Sequence, residues 1–390
     1  MKMRFHDDFV LVEQDDCLFP EDSSSASETS PSSETGLPDS LEVAIQREIN
    51  TEKFLRFAGF NEETAANIWA EWYGKLNQLK YEYTSLKEIC DRRINDCLNV
   101  PDRQTIKWSD DATQDLEDSR HVLRNIGFSD EMCEKIMAPE FRSLRNVASA
   151  HFWAVDTVNE AWRSFESRDC YSIPTRRHES DGKPPKKIAD HTYFFFVASE
   201  GYLWTCITED RSFNPLKLWS PSGGSLSSEP TTVYLLKDYE AALRCARYIT
   251  HRLGVSAGIM GIPIPDSILA KAQTVKNNQM VQLAMYNATR PRVTGALSPS
   301  EEEEADTPPT GKTDAPSAQQ GTPSFSDHFL LGPIWLYHSD GAMRKLAYTF
   351  PALKLANGEE ATLLAIKSTR AQREVARACG PVTLKSIKPE

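Results

Sequence analysis

The chain has 390 residues, of which 40% are hydrophobic and 26% charged, and a net charge of −12. That length and balance provide for two globular domains with a sizeable core. The negative charge argues against a general nucleic-acid binder, which carries a basic footprint.

The N-terminus has no long apolar stretch of the kind a signal peptide needs, and no window approaches 18 consecutive apolar residues. The expectation is therefore no membrane span, and a cytoplasmic or nuclear location. Phe9 to Val12 is the one apolar run in the first nineteen residues, either a strand docked on the body or a disordered arm. Residues 20–38 form an acidic Ser/Pro tract that cannot bury a core, so 1–38 reads as a mostly disordered arm.

Residues 39–168 read as an all-helical bundle. Asp39 and Ser40 are placed to cap a first helix ending at Gly59. Asn61 caps a second. Its apolar positions (Ala65, Trp69, Trp72, Leu76, Leu79, Tyr83, Leu86, Cys90, Ile94, Cys97) mostly step alternately by four and three. That spacing predicts one helix over 62–98 with a heptad seam, able to pair with a helix of the same chain or of a second copy. Further helices are expected over 110–126, 130–138 and 140–166, the last rich in aromatics.

Residues 54–69 and 122–137 echo each other in the frame Leu-Arg-x-x-Gly-Phe, then Asn or Ser, then two acids. Gly59 and Gly127 suit the left-handed residue that ends a helix. Phe60 and Phe128 supply the apolar contact after it, and Asn61 and Ser129 cap the next helix. The motif is a helix corner used twice.

Prolines and polar residues at 169–190 mark a linker between domains. From 191 to 380 the pattern mixes strands and helices. Thr192–Ser199 and Tyr202–Thr208 read as strands about a Glu200-Gly201 turn. The stretch Thr231–Ile268 reads as strand, helix and strand, with Asp238 as the helix cap and Gly254 as its stop. Residues 290–324 are a low-complexity insert, disordered on composition. After it come a strand over Phe329–Tyr337 with a Gly-Pro bend, a strand over Ala361–Ile366, and a helix capped by Ser368 and running to about Ala378. The fold class is α+β: an N-terminal helical bundle, then an α+β domain with a bent, split mixed sheet.

Familiar chemical motifs fail on context. The eight cysteines are scattered, without a CxxC pair or tight Cys/His spacing, so no metal site is expected and a reducing compartment fits best. Gly254-Val255-Ser256-Ala257-Gly258 has the spacing of a nucleophile elbow, but a helix precedes it and a strand follows, the reverse of what an elbow requires. Gly311-Lys312-Thr313 lacks the first glycine of a phosphate loop, since Asp306 stands there.

One family resemblance emerges from the second half. Arg211-Ser212-Phe213-Asn214-Pro215-Leu216, Gly223-Gly224-Ser225, Thr232-Val233-Tyr234-Leu235 and the helix from Glu240 to Ala246 occur in that order. Leu331-Gly332-Pro333-Ile334 and Ala361–Gln372 follow. Over about 191–378, apart from the insert, this resembles the fungal domains of the ADP-ribosyltransferase-like class. The resemblance implies a nicotinamide dinucleotide held in the cleft of a split sheet. It assigns catalytic roles to His191, Tyr234 and Glu360, and cofactor contacts to Tyr193, Arg211 and Thr232. The late acid of the family falls on Thr362 or Leu363 when the closing strand is matched, so Glu360 fits only after a shift of two or three residues. Three functional readings follow. The first is an interaction protein with a degenerate transferase-like domain and no cofactor. The second is an active NAD-dependent ADP-ribosyltransferase. The third is a helical scaffold that dimerises through residues 65–97. The partner expected is a protein, or a second copy through the helical domain, with no nucleic acid and no membrane.

Overall fold

Apolar residues recur every three or four positions through the first half of the chain, and helices form there. The computed structural model describes residues 5–6, 9–11, 52–76, 85–97, 114–167, 185–208, 212–218, 231–276, 279, 326, 328–334 and 352–389. Two short strands come first, β1 (Phe5–His6) and β2 (Phe9–Leu11). The helices that follow are α1 (Glu52–Phe57), α2 (Glu62–Leu76), α3 (Leu86–Asp96), α4 (Gln114–Ile126), α5 (Asp130–Ile136), α6 (Arg142–Arg145) and α7 (Ala150–Glu166). The proposed cap at Asp39 and Ser40, and the linker residues 169–184, lie outside the described residues.

The single helix expected over 62–98 is not formed. Residues 71 and 92 of one continuous helix would stand about 30 Å apart at 1.5 Å per residue. Instead Arg92 Nη1 lies 3.3 Å from Glu71 Oε1, so the chain doubles back between α2 and α3. The seam closes within the chain: Ala65, Trp72, Leu86, Cys90 and Ile94 are all buried. The helix expected over 140–166 is also divided. Ser149 starts α7 by accepting a hydrogen bond from Phe152 N at 3.1 Å, a local cap that outcompetes continuation from α6.

The two echoing corners dock on each other. Gly59 and Gly127 have φ of 98° and 104°. Phe60 and Phe128 stack with ring centroids 5.0 Å apart. Asn61 N donates to Gly127 O and Ser129 N to Gly59 O, both at 2.8 Å. The caps repeat as well, with Thr64 N donating to Asn61 Oδ1 and Met132 N to Ser129 Oγ. So do the ion pairs Arg56–Glu62 and Arg124–Asp130. The repeated motif is thus a pair of interlocked corners related by a local two-fold.

The second half supplies β3 (His191–Ser199), α8 (Glu200–Cys206), a 3-10 turn (Pro215–Leu218), β4 (Val233–Leu236), α9 (Tyr239–Leu253) and β5 (Ala257–Pro265). After these come α10 (Asp266–Leu269), β6 (Gln273–Thr274), β7 (Phe329–Pro333), β8 (Thr362–Ile366), α11 (Thr369–Ala378) and β9 (Thr383–Ile387). They form one mixed sheet of order β1-β2-β9-β5-β3-β4-β8-β7-β6, with β6 and β7 parallel and the other pairs antiparallel. β3 and β5 pair along nine residues, whereas β3 and β4 meet only at Phe195 and Leu236, where the sheet narrows. Phe9–Leu11 of the first apolar run reach this sheet, as β2 pairs with β9.

Two elements differ from expectation. Tyr202–Thr208 is not a hairpin strand. β5 pairs with β3 along its whole length and β4 meets its other edge at Phe195, while the run folds as α8 with Leu203 and Cys206 buried. β9 lies beyond the domain end placed at 380 and forms an interior strand.

Strand alternation sorts side chains to two faces. Tyr193, Phe195, Tyr234, Leu236 and Ile259 lie with α9 and the helical bundle in one apolar cluster. Phe194, Phe196, Val233, Leu235 and Ile262 lie in the other, with Leu203, Leu218 and Val375 from α8, the 3-10 turn and α11. The first cluster runs without a break from Phe54 to Ala365, so the helices and the sheet share one core.

Candidate functional site

The residues assigned by resemblance sit on strands and turns, so the sheet register measures their separations. Tyr234 pairs with Ala365 on β8. Continuing the Phe195–Leu236 register places it level with Val197 of β3. His191 is six residues down the same strand, about 20 Å away at 3.3 Å per residue. Its Nδ1 is 2.8 Å from Ala189 O, and it begins β3 opposite Pro265. Glu360 lies toward the His191 end of the sheet, two strands across. It is about 16 Å from the level of Tyr234, counting five residues back from Ala365.

Glu360 is part of a structured turn. It bridges Lys354 and makes an ion pair with it at 2.9 Å. Gly358, at φ 83°, closes that turn. Arg244 of α9 donates to Lys354 O at 2.7 Å, and Glu240 accepts from Ala356 N at 3.0 Å. Asp238 starts α9 without capping it through its side chain. Its carboxylate accepts instead from Thr362 N at 2.7 Å, which ties the helix to β8.

Among the cofactor candidates, Tyr193 stacks on Phe195 with centroids 6.4 Å apart, and burial pushes its phenol upward. Thr232 is fully buried, and its hydroxyl has no hydrogen-bond partner among the described residues. Arg211 lies outside the described residues. The structure therefore does not gather His191, Tyr234 and Glu360 around one point.

What it does gather is a set of charges along α7, at the junction of the bundle and the sheet. Asp156, Glu160 and Arg163 follow one another at helical spacing, which puts them on one side of the helix. Arg252 of α9 is 1% exposed; it donates to Asp156 Oδ2 and Thr157 Oγ1, each at 2.7 Å. Its guanidinium lies 4.3 Å from the Tyr248 ring centroid and 5.5 Å from that of Trp153. Burial works against the Arg252 charge, but Asp156 and the other neighbours outweigh it and hold the guanidinium protonated.

Arg163 pairs with Glu160 and lies over the rings of Tyr202 and Phe196 at 5.2 and 5.6 Å. Glu160 is buried, and burial raises its carboxyl above the ordinary range, against the pull of Arg163. One of its oxygens has no hydrogen-bond partner among the described residues. The first half of α7 thus faces α9, and its end reaches β3 and α8.

A comparison with protein-family models, curated proteins and solved structures found no match.

The ionic stripe has the character of a fastening. Its cations rest on aromatic faces and its hydrogen bonds join α7 to α9. Nearby nucleophiles are held in their neutral forms by burial. The Cys206 and Cys245 thiols and the Tyr202 phenol are each pushed up to about 12, Cys133 to about 11, and Tyr248 upward as well. A thiol in that range carries almost no thiolate at neutral pH. Among the described residues no group of three His, Cys, Asp or Glu side chains is placed to hold a metal ion, and no helix is long and apolar enough to cross a membrane.

Sequence reasoning missed this stripe. The signal within α7 was visible as Asp156, Glu160 and Arg163 at helical spacing on an aromatic-rich helix. Its partner Arg252, almost a hundred residues away, carried none.

Proposed function

We propose that this protein acts by binding another protein, and that residues 191–378 are a transferase-like sheet domain whose catalytic positions have been lost. The observation that carries the reading is the spacing of about 20 Å between His191 and Tyr234 along the sheet. Polarising one ribose and stabilising its cation requires groups within hydrogen-bond reach of the same substrate. The anchoring of Glu360 to Lys354 supports the same reading.

Support for a protein partner comes from the outer side of α2. Trp69 stacks against Tyr73, which is 55% exposed, and exposed aromatics of this kind are enriched at interfaces. Six cysteines among the described residues are unpaired, which fits the cytoplasm or the nucleus.

The test is transfer of label from NAD, with the Glu360→Ala variant alongside and a calorimetric titration of NAD. The expected result is no transfer by either chain. Labelling by the natural chain that disappears in Glu360→Ala would overturn the reading.

A further inference from the structure

The outer face of α11 is a surface without a described role. Its inner face is fixed. Ala371, Gln372 and Val375 are buried, and Gln372 donates to Thr231 O at 2.6 Å and to Ile366 O at 3.1 Å. With the inner face so anchored, Arg370, Arg373 and Arg377 project together from the opposite side, and all three are exposed. At 3.6 residues per turn they fall within about 60° of the helix circumference and along about 10 Å of its length. None of the three has a hydrogen-bond or ion-pair partner among the described residues, and Glu374 beside them is held by Lys271.

A row of three guanidinium groups with no acidic partner among the described residues stands out on a chain with a net charge of −12. It repels itself and offers bidentate donors to carboxylates. The strongest run of negative charge in the sequence is Glu301–Glu304, followed by Asp306. At strand rise the first and fourth of these residues stand roughly 10 Å apart, a match for the arginine row.

The chain that carries these glutamates leaves and rejoins the described fold next to α11. Before it, Lys271 contacts Glu374 and Gln273 accepts from Ser326 N at 2.6 Å. After it, Ser326 O accepts from Lys367 Nζ at 3.3 Å, and His328 Nδ1 lies 2.7 Å from Oγ of Ser368, the residue that caps α11. Glu301 is midway between Lys276 and Ser326. Even the root-mean-square span of a coil of that half-length is roughly 27 Å, more than the length of the helix. Attachment at both ends also raises the effective concentration of the glutamates at the arginine face.

We propose that the arginine face of α11 is a docking surface for acidic polypeptide, and that its resident occupant is the Glu301–Glu304 run of the same chain. Each exposed pair contributes little, and the sum is salt-dependent. The contact is therefore one that a more acidic segment of a partner displaces.

The test uses full-length chains altered only at exposed or acidic-run positions. A fluorescent peptide of residues 297–308 is titrated with three chains. They are the natural chain, a quadruple variant (Glu301→Gln, Glu302→Gln, Glu303→Gln, Glu304→Gln) and a triple variant (Arg370→Gln, Arg373→Gln, Arg377→Gln). The quadruple glutamate variant should bind the peptide at least tenfold more tightly than the natural chain. The triple arginine variant should bind it at least tenfold more weakly than the quadruple variant does. Equal binding by the natural chain and the quadruple variant would overturn the internal occupant, and undiminished binding by the triple variant would overturn the surface. A DNA oligonucleotide that binds the natural chain and the quadruple variant with the same affinity, through the arginines, would also overturn the assignment to the acidic run.

Discussion

Two glycines of the helical half carry a demand that no other residue meets. Gly59 and Gly127 have strongly positive φ, and a Cβ on either would lie inside contact distance of a packed side chain, Met132 for the first and Thr64 for the second. Gly254 also has positive φ, at 66°, but a Cβ there would meet nothing. The three sites separate backbone strain from crowding. Gly254→Ala should cost about 1 kcal/mol, the left-handed penalty alone. Gly127→Ala should cost about 2–4 kcal/mol, because overpacking adds to it. Denaturant unfolding of the two variants measures the difference. These corners were legible in the sequence because glycine, phenylalanine and a capping residue each answer a local requirement. The pairing of one corner with the other was not, since it depends on where the helices bring them.

At the level of elements, α7 joins the bundle to the sheet, and its charge makes the junction sensitive to pH. Glu160 faces Arg163 on its own helix, with Asp156 and Arg252 also within electrostatic reach. Burial raises its carboxyl above the unfolded value, so the folded state holds a proton that the unfolded chain has already released. The stabilising share of Glu160 is thus full below the ordinary carboxylate range and is lost as pH rises through the raised value. Glu160→Gln removes that slope. Relative to the natural chain the variant should gain stability as pH rises above the ordinary carboxylate range, read from unfolding midpoints across a pH series. Charged groups that meet across long sequence separations, as Asp156 and Arg252 do, leave no periodic trace. Short apolar runs are ambiguous for a related reason. Tyr202–Cys206 has strand composition, yet it folds as α8 and buries Leu203 and Cys206. In β9, fully buried Lys385 beside the Tyr239 ring interrupts what would otherwise read as a strand.

For the whole molecule, the shared core joins what the sequence divides into two domains. Composition marks 169–190 as a boundary, yet the apolar cluster passes from α1 through α7 and α9 to β8. Tyr248 of α9 donates to Ile136 O of α5 at 2.7 Å, and the Phe141 ring lies 4.9 Å from that of Tyr248. Unfolding should therefore be one cooperative event. Far-ultraviolet dichroism and tryptophan fluorescence, the latter weighted to Trp69, Trp72, Trp153 and Trp162, should give coincident thermal transitions. Two separated transitions would show that the halves are energetically independent.

The placement of β9 also has a consequence in time. It follows every other described strand in the chain, yet it pairs with β5 along five residues and stands between that strand and β2. Until residues 383–387 have emerged from the ribosome, β5 lacks a neighbour on one side and β2 has nothing to join. The sheet of a nascent chain thus stays open at its middle while all its other strands are already made. A truncation just before Thr383 would leave an interior edge uncovered, where a missing surface helix would merely shorten the protein.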